Sequence, residues 1–351
     1  MILVTGGAGF IGSNFVLDWI ETVGEPVVSL DKLTYAGNLQ NLESLQGDDR
    51  HTFVRGDICD RPLVESLIKA HRPRAVVHFA AESHVDRSVL WPEDFIQTNI
   101  NGVFVLLEAS KNYWTKLDEG ARAEFRFLHV STDEVYGSLE SGEPGFNEQT
   151  RYAPNSPYSA TKAAADHLVR AYHQTYGLPT VTTNCSNNYG PYQFPEKLIP
   201  LMLVNALADK PLPVHGDGQH IRDWLYVRDH CAAIRVALAE GRIGETYNIG
   251  GDNEYTNIAV VNLVCDLLDD LRPRADGTSY RSKIVFVQDR PLNDRRYAID
   301  ASKMEQSLGW RPVETFETGL RKTVQWYLSN ERWLENVLSG KYAGSGKILC
   351  E

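Results

Sequence analysis

The stretch Met1-Ile2-Leu3-Val4-Thr5-Gly6-Gly7-Ala8-Gly9-Phe10-Ile11-Gly12 decides the fold. Its short apolar run reads as a buried strand, and the pattern from about 11 to 22 reads as a helix. Between them the glycines satisfy G-x-G-x-x-G at Gly7, Gly9 and Gly12, and G-x-x-G-x-x-G at Gly6, Gly9 and Gly12. Glycines so placed permit a tight turn, close backbone approach to a pyrophosphate and close helix–strand packing. The helix N-terminus then offers free N–H groups to an anion. The bland alternative is a glycine-rich turn with no ligand, and the residues downstream weigh against it. Asp31 stands nineteen residues past Gly12, at the end of a second apolar run. Its carboxylate suits a ribose 2′-hydroxyl and repels a 2′-phosphate, so the reading is a dinucleotide site preferring NAD to NADP.

Outward from this loop, apolar runs at 2–4, 27–30, 52–54, 75–79, 127–131 and 180–184 alternate with helical patterns at 11–22, 61–70, 93–113 and 158–176. Strand and helix in alternation predict a Rossmann-type α/β fold. Its doubly wound parallel sheet has right-handed crossovers, with ligands beyond the carboxyl ends of the strands. After about 185, Pro191, Pro195, Pro200, Pro211 and Pro213 break the chain into shorter pieces. Strands are expected at 246–249 and 284–287, and helices at 257–271 and 316–328. The expected organisation is an NAD-binding domain over 1–185 with returning segments near 220–250. A smaller mixed α/β C-terminal substrate-binding lobe takes most of 186–330, and 331–351 is a tail.

Composition fits this. A chain of 351 residues, 42% hydrophobic and 23% charged, is long enough for two cores without disulfide or metal staples. Acidic residues number 46 against 35 basic ones, a net charge of −11, which argues against a nucleic-acid partner. No apolar run approaches the ~20 residues of a membrane span, and the N-terminal residues lack the basic region of a secretory signal. The five cysteines are odd in number and form no C-x-x-C pair, as expected of reduced thiols in the cytoplasm. His78, His84, His129 and His167 lack ligand spacing, so no metal is expected.

Tyr158 and Lys162 are four apart, one helical turn, behind Ser156 as N-cap and Pro157 as first helical residue. The lysine charge and the helix N-terminus favour a phenolate, so the tyrosine is expected to exchange a proton with a substrate hydroxyl while hydride moves. Asp133 and Glu134 follow the run ending in Ser131-Thr132. Two acids in a loop are commonly solvated surface. Here they follow a central strand's carboxyl end, where neighbouring carboxyls with separated pKa values supply one acid and one base. Asp57-Ile58 suits either the adenine side of the dinucleotide or a helix cap, and both stay open.

These residues resemble the extended short-chain dehydrogenase/reductase superfamily, and within it the dTDP-glucose 4,6-dehydratases. The resemblance spans about 1–328. It rests on the glycine loop, Tyr158-x-x-x-Lys162, Asp31-Lys32-Leu33-Thr34-Tyr35-Ala36-Gly37-Asn38 and Ala80-Ala81-Glu82-Ser83-His84-Val85-Asp86-Arg87-Ser88. Asn184-Cys185-Ser186-Asn187-Asn188-Tyr189-Gly190-Pro191, Glu196-Lys197-Leu198-Ile199-Pro200 and the Thr132-Asp133-Glu134 triplet complete it. The triplet discriminates best, because related sugar-nucleotide 4-epimerases lack the acid pair.

The resemblance implies a hydro-lyase that makes a 4-keto-6-deoxy sugar nucleotide. Tyr158 would be the base for C4 oxidation, with Thr132 holding the C4 oxygen and Lys162 tuning Tyr158. Glu134 would take the C5 proton and Asp133 would protonate the departing C6 hydroxyl. NAD contacts would come from Gly6, Gly9, Phe10, Ile11, Gly12, Asp31, Lys32, Leu33, Thr34, Asp57, Ile58, Ala80, Ala81, Ser83, Thr98, Tyr158, Lys162 and Asn188. Substrate contacts would come from Ser83, His84, Thr132, Asn187, Glu196, Lys197, Leu198, Pro213, His215, Arg222, Asn257, Asp289, Arg290 and Asn293. Leu292-Asn293 stands where the family has Gly-His, on the nucleotide-binding side. The resemblance also implies a homodimer built on two long helices per subunit, here those at 93–113 and 158–176. A UDP, CDP or GDP sugar in place of dTDP-glucose, a 4-epimerase, and a non-catalytic NAD-binding protein are the competing readings.

Overall fold

The computed structural model describes residues 1–289 and 294–340. Arg290, Asn293 and the Leu292-Asn293 departure lie outside the described residues, as does everything from 341 onward. The twelve strands among the described residues are β1 (Ile2–Thr5), β2 (Val27–Asp31), β3 (His51–Arg55), β4 (Ala75–His78), β5 (Arg126–Thr132), β6 (Thr180–Cys185), β7 (Asn187–Tyr189), β8 (Leu212–His215), β9 (Ile221–Tyr226), β10 (Thr246–Ile249), β11 (Glu254–Thr256) and β12 (Ile284–Val287).

Seven strands form one parallel sheet in the order β10-β6-β5-β4-β1-β2-β3. β1, β2 and β4 read as largely apolar runs because both faces are covered. Successive side chains point to opposite faces, and the core divides accordingly. Ile2 and Val4 of β1 pack with helices Phe10–Thr22 and Val227–Glu240, whereas Leu3 packs with helices Arg61–His71, Val103–Trp114 and Pro157–Tyr176. Chain order reverses between β1 and β4, and a crevice for ligands opens at such a switch point. β10, from late in the chain, adds the seventh strand beside β6.

The second core lies between helices Leu198–Leu207, Asn257–Leu271 and Phe316–Ser329 and two small sheets, β11-β9-β7 and β12-β8. The expected tail is structured through Leu338. Helix Glu331–Leu338 buries Trp333 and Val337 in this second core, because its apolar residues fall on one face. The helix expected at 93–113 also differs. Pro92–Phe95 and Val103–Trp114 are joined by a wider, π-helical stretch, Ile96–Gly102.

Candidate active site

One continuous cleft of about 480 Å³ runs along the carboxyl ends of β1, β2, β4, β5 and β6 and into the second lobe. At one end lies the glycine loop. Gly6 takes φ +74°, and a Cβ there would sit 2.6 Å from the Ala80 nitrogen; a Cβ on Gly12 would sit 2.1 Å from the Gly6 carbonyl oxygen. Only glycine permits this fold-back, which brings the N-terminus of helix Phe10–Thr22 to the cleft with no side chain capping it. Asp31 accepts from the Ala8 amide at 2.9 Å and the Leu33 amide at 2.8 Å, so its carboxylate is fixed at the end of β2. Lys32 pairs with Asp57 at 2.7 Å. Helix Arg61–His71 is capped by Asp60, which leaves Asp57 to line the cleft rather than cap that helix. A backbone cradle, an uncapped helix N-terminus and a fixed carboxylate together fit a dinucleotide's diphosphate and ribose.

At the centre, β5 ends in Thr132, and a tight turn, Asp133–Tyr136, aims Asp133 and Glu134 into the cleft. Opposite them, Ser156 and Ser159 form a reciprocal capping box, which fixes the start of helix Pro157–Tyr176 and so places Tyr158 in its first turn. The Lys162 ammonium donates to the Val130 carbonyl at 2.8 Å. The π-helical stretch places Asn99 against this helix. Its amide donates to Thr161 Oγ1 and to the Glu82 carbonyl, each at 3.0 Å, tying the loop after β4 to the catalytic helix.

The two acids have different surroundings. Asp133 is 2% exposed. Burial first, then the charges of Glu134 and Asp223, push its carboxyl well above the usual range. Burial also raises Glu134, but Lys197 and Arg222 pull it down. Tyr158 differs from expectation. Burial and then the Glu134 charge push its phenol well above its ordinary value, and the Lys162 ammonium is turned to a backbone carbonyl.

At the far end, Lys197 donates to the Ser83 carbonyl at 3.2 Å. Arg222 lies over the Tyr297 ring, 4.4 Å from its centre. Glu196 accepts from Tyr35 at 3.0 Å and lies 3.8 Å from His84. Asn188, on β7, is held by three partners: its amide donates to the Ser186 carbonyl, its carbonyl faces His230 Nδ1 at 2.9 Å, and Gln193 donates to its backbone oxygen.

Every described residue assigned a catalytic, NAD-binding or substrate-binding role from sequence lines this cleft except Leu33 and Asp289. Leu33 lends its amide to Asp31, and Asp289 stands 3.4 Å from His220. Sequence reasoning missed Glu82, Asn155, Asp294 and Tyr297, which also line it. Glu82 stands within the motif at 80–88, but Asp294 and Tyr297 carry no local signal. They reach the site because the chain there bridges back onto Ile221.

Residues 3–323 match the family described as GDP-mannose 4,6 dehydratase. A dTDP-glucose 4,6-dehydratase of Xanthomonas campestris pv. campestris (strain B100) is 62% identical over 97% of this chain and 96% of its own. A crystal structure of the Bacillus anthracis dTDP-glucose 4,6-dehydratase in complex with NAD superposes with TM-score 0.84 at 48% identity, covering 96% of this chain and 99% of that one. A Streptomyces venezuelae dTDP-glucose 4,6-dehydratase with NAD bound gives 0.87 at 44% identity over the same shares. With the glycine cradle, the Tyr158–Lys162 pair and the Asp133–Glu134 pair gathered in one cleft, the chain belongs to the dTDP-glucose 4,6-dehydratase family.

Proposed function

We propose that this chain is an NAD-dependent hydro-lyase that converts dTDP-glucose to dTDP-4-keto-6-deoxyglucose. The observation that carries the reading is the pair of unlike carboxyls, Asp133 and Glu134, facing Tyr158 and Lys162 across one cleft. The glycine loop and Asp31 would hold NAD, which when bound would supply a hydride acceptor for C4, a hydride donor for C6 and a positive charge favouring the Tyr158 phenolate. Tyr158 takes the C4 hydroxyl proton while Thr132 holds that oxygen. The C4 ketone acidifies the C5–H bond. Glu134, kept nearer its ordinary range by Lys197 and Arg222, removes the C5 proton. Asp133, protonated by its burial, gives its proton to the C6 oxygen, which leaves as water. A proton then returns to C5 as the hydride reaches C6. The remaining NAD and substrate contacts follow the residues assigned above, with Arg222, Lys197 and Asn187 at the diphosphate.

A panel of nucleotide-glucose substrates assayed for 4-keto product tests this. dTDP-glucose should be turned over without added reductant. Conversion of UDP-glucose to UDP-galactose with no keto sugar would overturn it. Glu134→Gln should oxidise C4 and stall with enzyme-bound NADH, and normal turnover would remove Glu134 from the mechanism.

The reading includes a second copy of the chain. Helices Val103–Trp114 and Pro157–Tyr176 pack side by side, and Phe104, Tyr176 and nearby Ile96 and Leu90 are exposed apolar residues on or beside them. A molar mass in solution of two chains supports the homodimer, and a mass of one chain refutes it. Among the described residues no helix is long and apolar enough to cross a membrane, and we place the protein in the cytoplasm. The division into an NAD-binding part over 1–185 with segments returning near 220–250, and a substrate lobe mainly over 186–330, belongs to the same proposal.

A further inference from the structure

Behind Lys162, one turn further along the catalytic helix, lies a buried carboxyl that the mechanism has not used. Asp166 is 5% exposed. One of its oxygens, Oδ2, accepts from Ser131 Oγ at 3.0 Å and from Tyr152 Oη at 2.9 Å. The other, Oδ1, lies 3.1 Å from His129 Nε2. His129 is fully buried and stacks on His78 with ring centres 5.3 Å apart, and His78 in turn meets Thr5 Oγ1 at 2.6 Å. Burial drives both histidines well below their ordinary value, so both are neutral and neither offers Asp166 a full counter-charge.

The group that does is Lys162. Residues four apart on a helix are neighbours on one face. Lys162 is itself 4% exposed, and it donates to a neutral carbonyl, that of Val130. A buried ammonium in that setting needs a negative partner to stay charged. The other ionisable groups around the pair are Tyr158 and His167 on the same helix, Tyr152 in the loop before it, and Cys185 on β6. Burial raises the Cys185 thiol to about 12, which leaves it neutral. Asp166 is raised only to about 6, so it carries its charge at neutral pH.

We propose that Asp166 is a positioning residue for the dehydratase reaction: held in place by Ser131 and Tyr152, it is the counter-charge that keeps Lys162 protonated beside Tyr158. The inference rests on the Tyr158–Lys162 assignment above and extends it one turn down the helix. It explains why two hydroxyls converge on one buried carboxylate a turn beyond Lys162.

The test uses Asp166→Asn in the NAD-loaded enzyme, with two measurements. The first follows the ¹³Cε resonance of Lys162 against pH in labelled protein, assigned with Lys162→Met. Loss of an opposite charge one helical turn away should lower the lysine midpoint by about one to three pH units. The second follows the rate of C4 oxidation against pH. The acid limb should move to higher pH, since Tyr158 becomes harder to ionise, and at a fixed pH on that limb the rate should fall about tenfold for every pH unit the limb moves. Tyr152→Phe removes one donor but keeps the charge. It should move both readouts the same way by less, and it keeps the test alive if the asparagine variant folds poorly. An unmoved lysine midpoint in both variants overturns the proposal, even if melting temperature falls, because that is what a purely structural Asp166 would give. A lysine midpoint that falls with an unmoved rate limb would instead overturn the assignment of Lys162 to Tyr158.

Discussion

Replacing Asp133 with Asn separates its proposed chemistry from its place in the fold. Asn keeps the shape and cannot give up a proton. In the wild type, Asp133 Oδ2 is buried with no hydrogen-bond partner among the described residues, and its carboxyl lines the cleft. A general acid contributes about 10²- to 10⁴-fold, so the overall rate should fall by that factor, about 3–5 kcal/mol in barrier. C4 oxidation precedes the step that Asp133 serves, so bound NADH should accumulate in a stopped-flow trace. Stability should move the other way. A carboxyl whose folded pKa is raised contributes stability that is present below its unfolded pKa and lost as pH climbs through the folded one. Asn has no such loss. Above about pH 4 the variant should therefore gain on the wild type by about 1.4 kcal/mol per pH unit until the folded pKa is passed. Urea melts at a series of pH values read this directly. Wild-type turnover of keto sugar by the variant would refute the acid role, and a stability difference independent of pH would refute the raised pKa.

The remaining predictions concern the scaffold. Gly12→Ala should release NAD during gel filtration and cost about 1–3 kcal/mol, because the new Cβ meets backbone, the Gly6 carbonyl, which cannot rotate away; retained NAD would count against the close-packed loop. Trp333 packs on Trp326 with ring centres 5.1 Å apart and donates to Asn41 at 2.8 Å. Trp333→Ala should therefore cost about 3–5 kcal/mol in thermal melts, whereas Trp333→Phe should cost nearer ~1 kcal/mol for the lost hydrogen bond. Equal, small effects would show that helix Glu331–Leu338 is not part of the core.

What could be read in advance follows from range. Parallel strands buried on both faces are rich in apolar residues, so β1, β2 and β4 stand out against polar surroundings. The glycine loop and the Tyr158–Lys162 turn are local, and each is complete within a dozen residues. The π-helical turn at Ile96–Gly102 is illegible in sequence because its apolar spacing is that of an ordinary helix. Its signature is Asn99 bonding to Glu82 and Thr161, which only tertiary structure supplies. The sheet β11-β9-β7 draws on three segments separated by long insertions, and Tyr297 enters the site by a bridge from a distant crossover. Glu196 could be placed by motif, but not the fact that Tyr35 of the other lobe already donates to it.

The same limit of range governs the charge. A net charge of −11 opposes a ligand that is an anion twice over, yet exposed charges are screened beyond ~8 Å at physiological salt. Local cations then decide, and two of them have a double duty. Lys197 and Arg222 are the groups that lower Glu134, and they are also the groups assigned to the substrate diphosphate. If a diphosphate occupies them as proposed, their field at Glu134 would be partly cancelled, and the carboxylate would become the stronger base once substrate is in place. Asp133 would feel less of this change, because of the two cations only Arg222 acts on it, behind burial and the charges of Glu134 and Asp223. On the proposed assignments the gap between acid and base would then narrow when substrate is bound, which is the arrangement in which a proton leaving C5 and a proton arriving at C6 can be matched within one cleft.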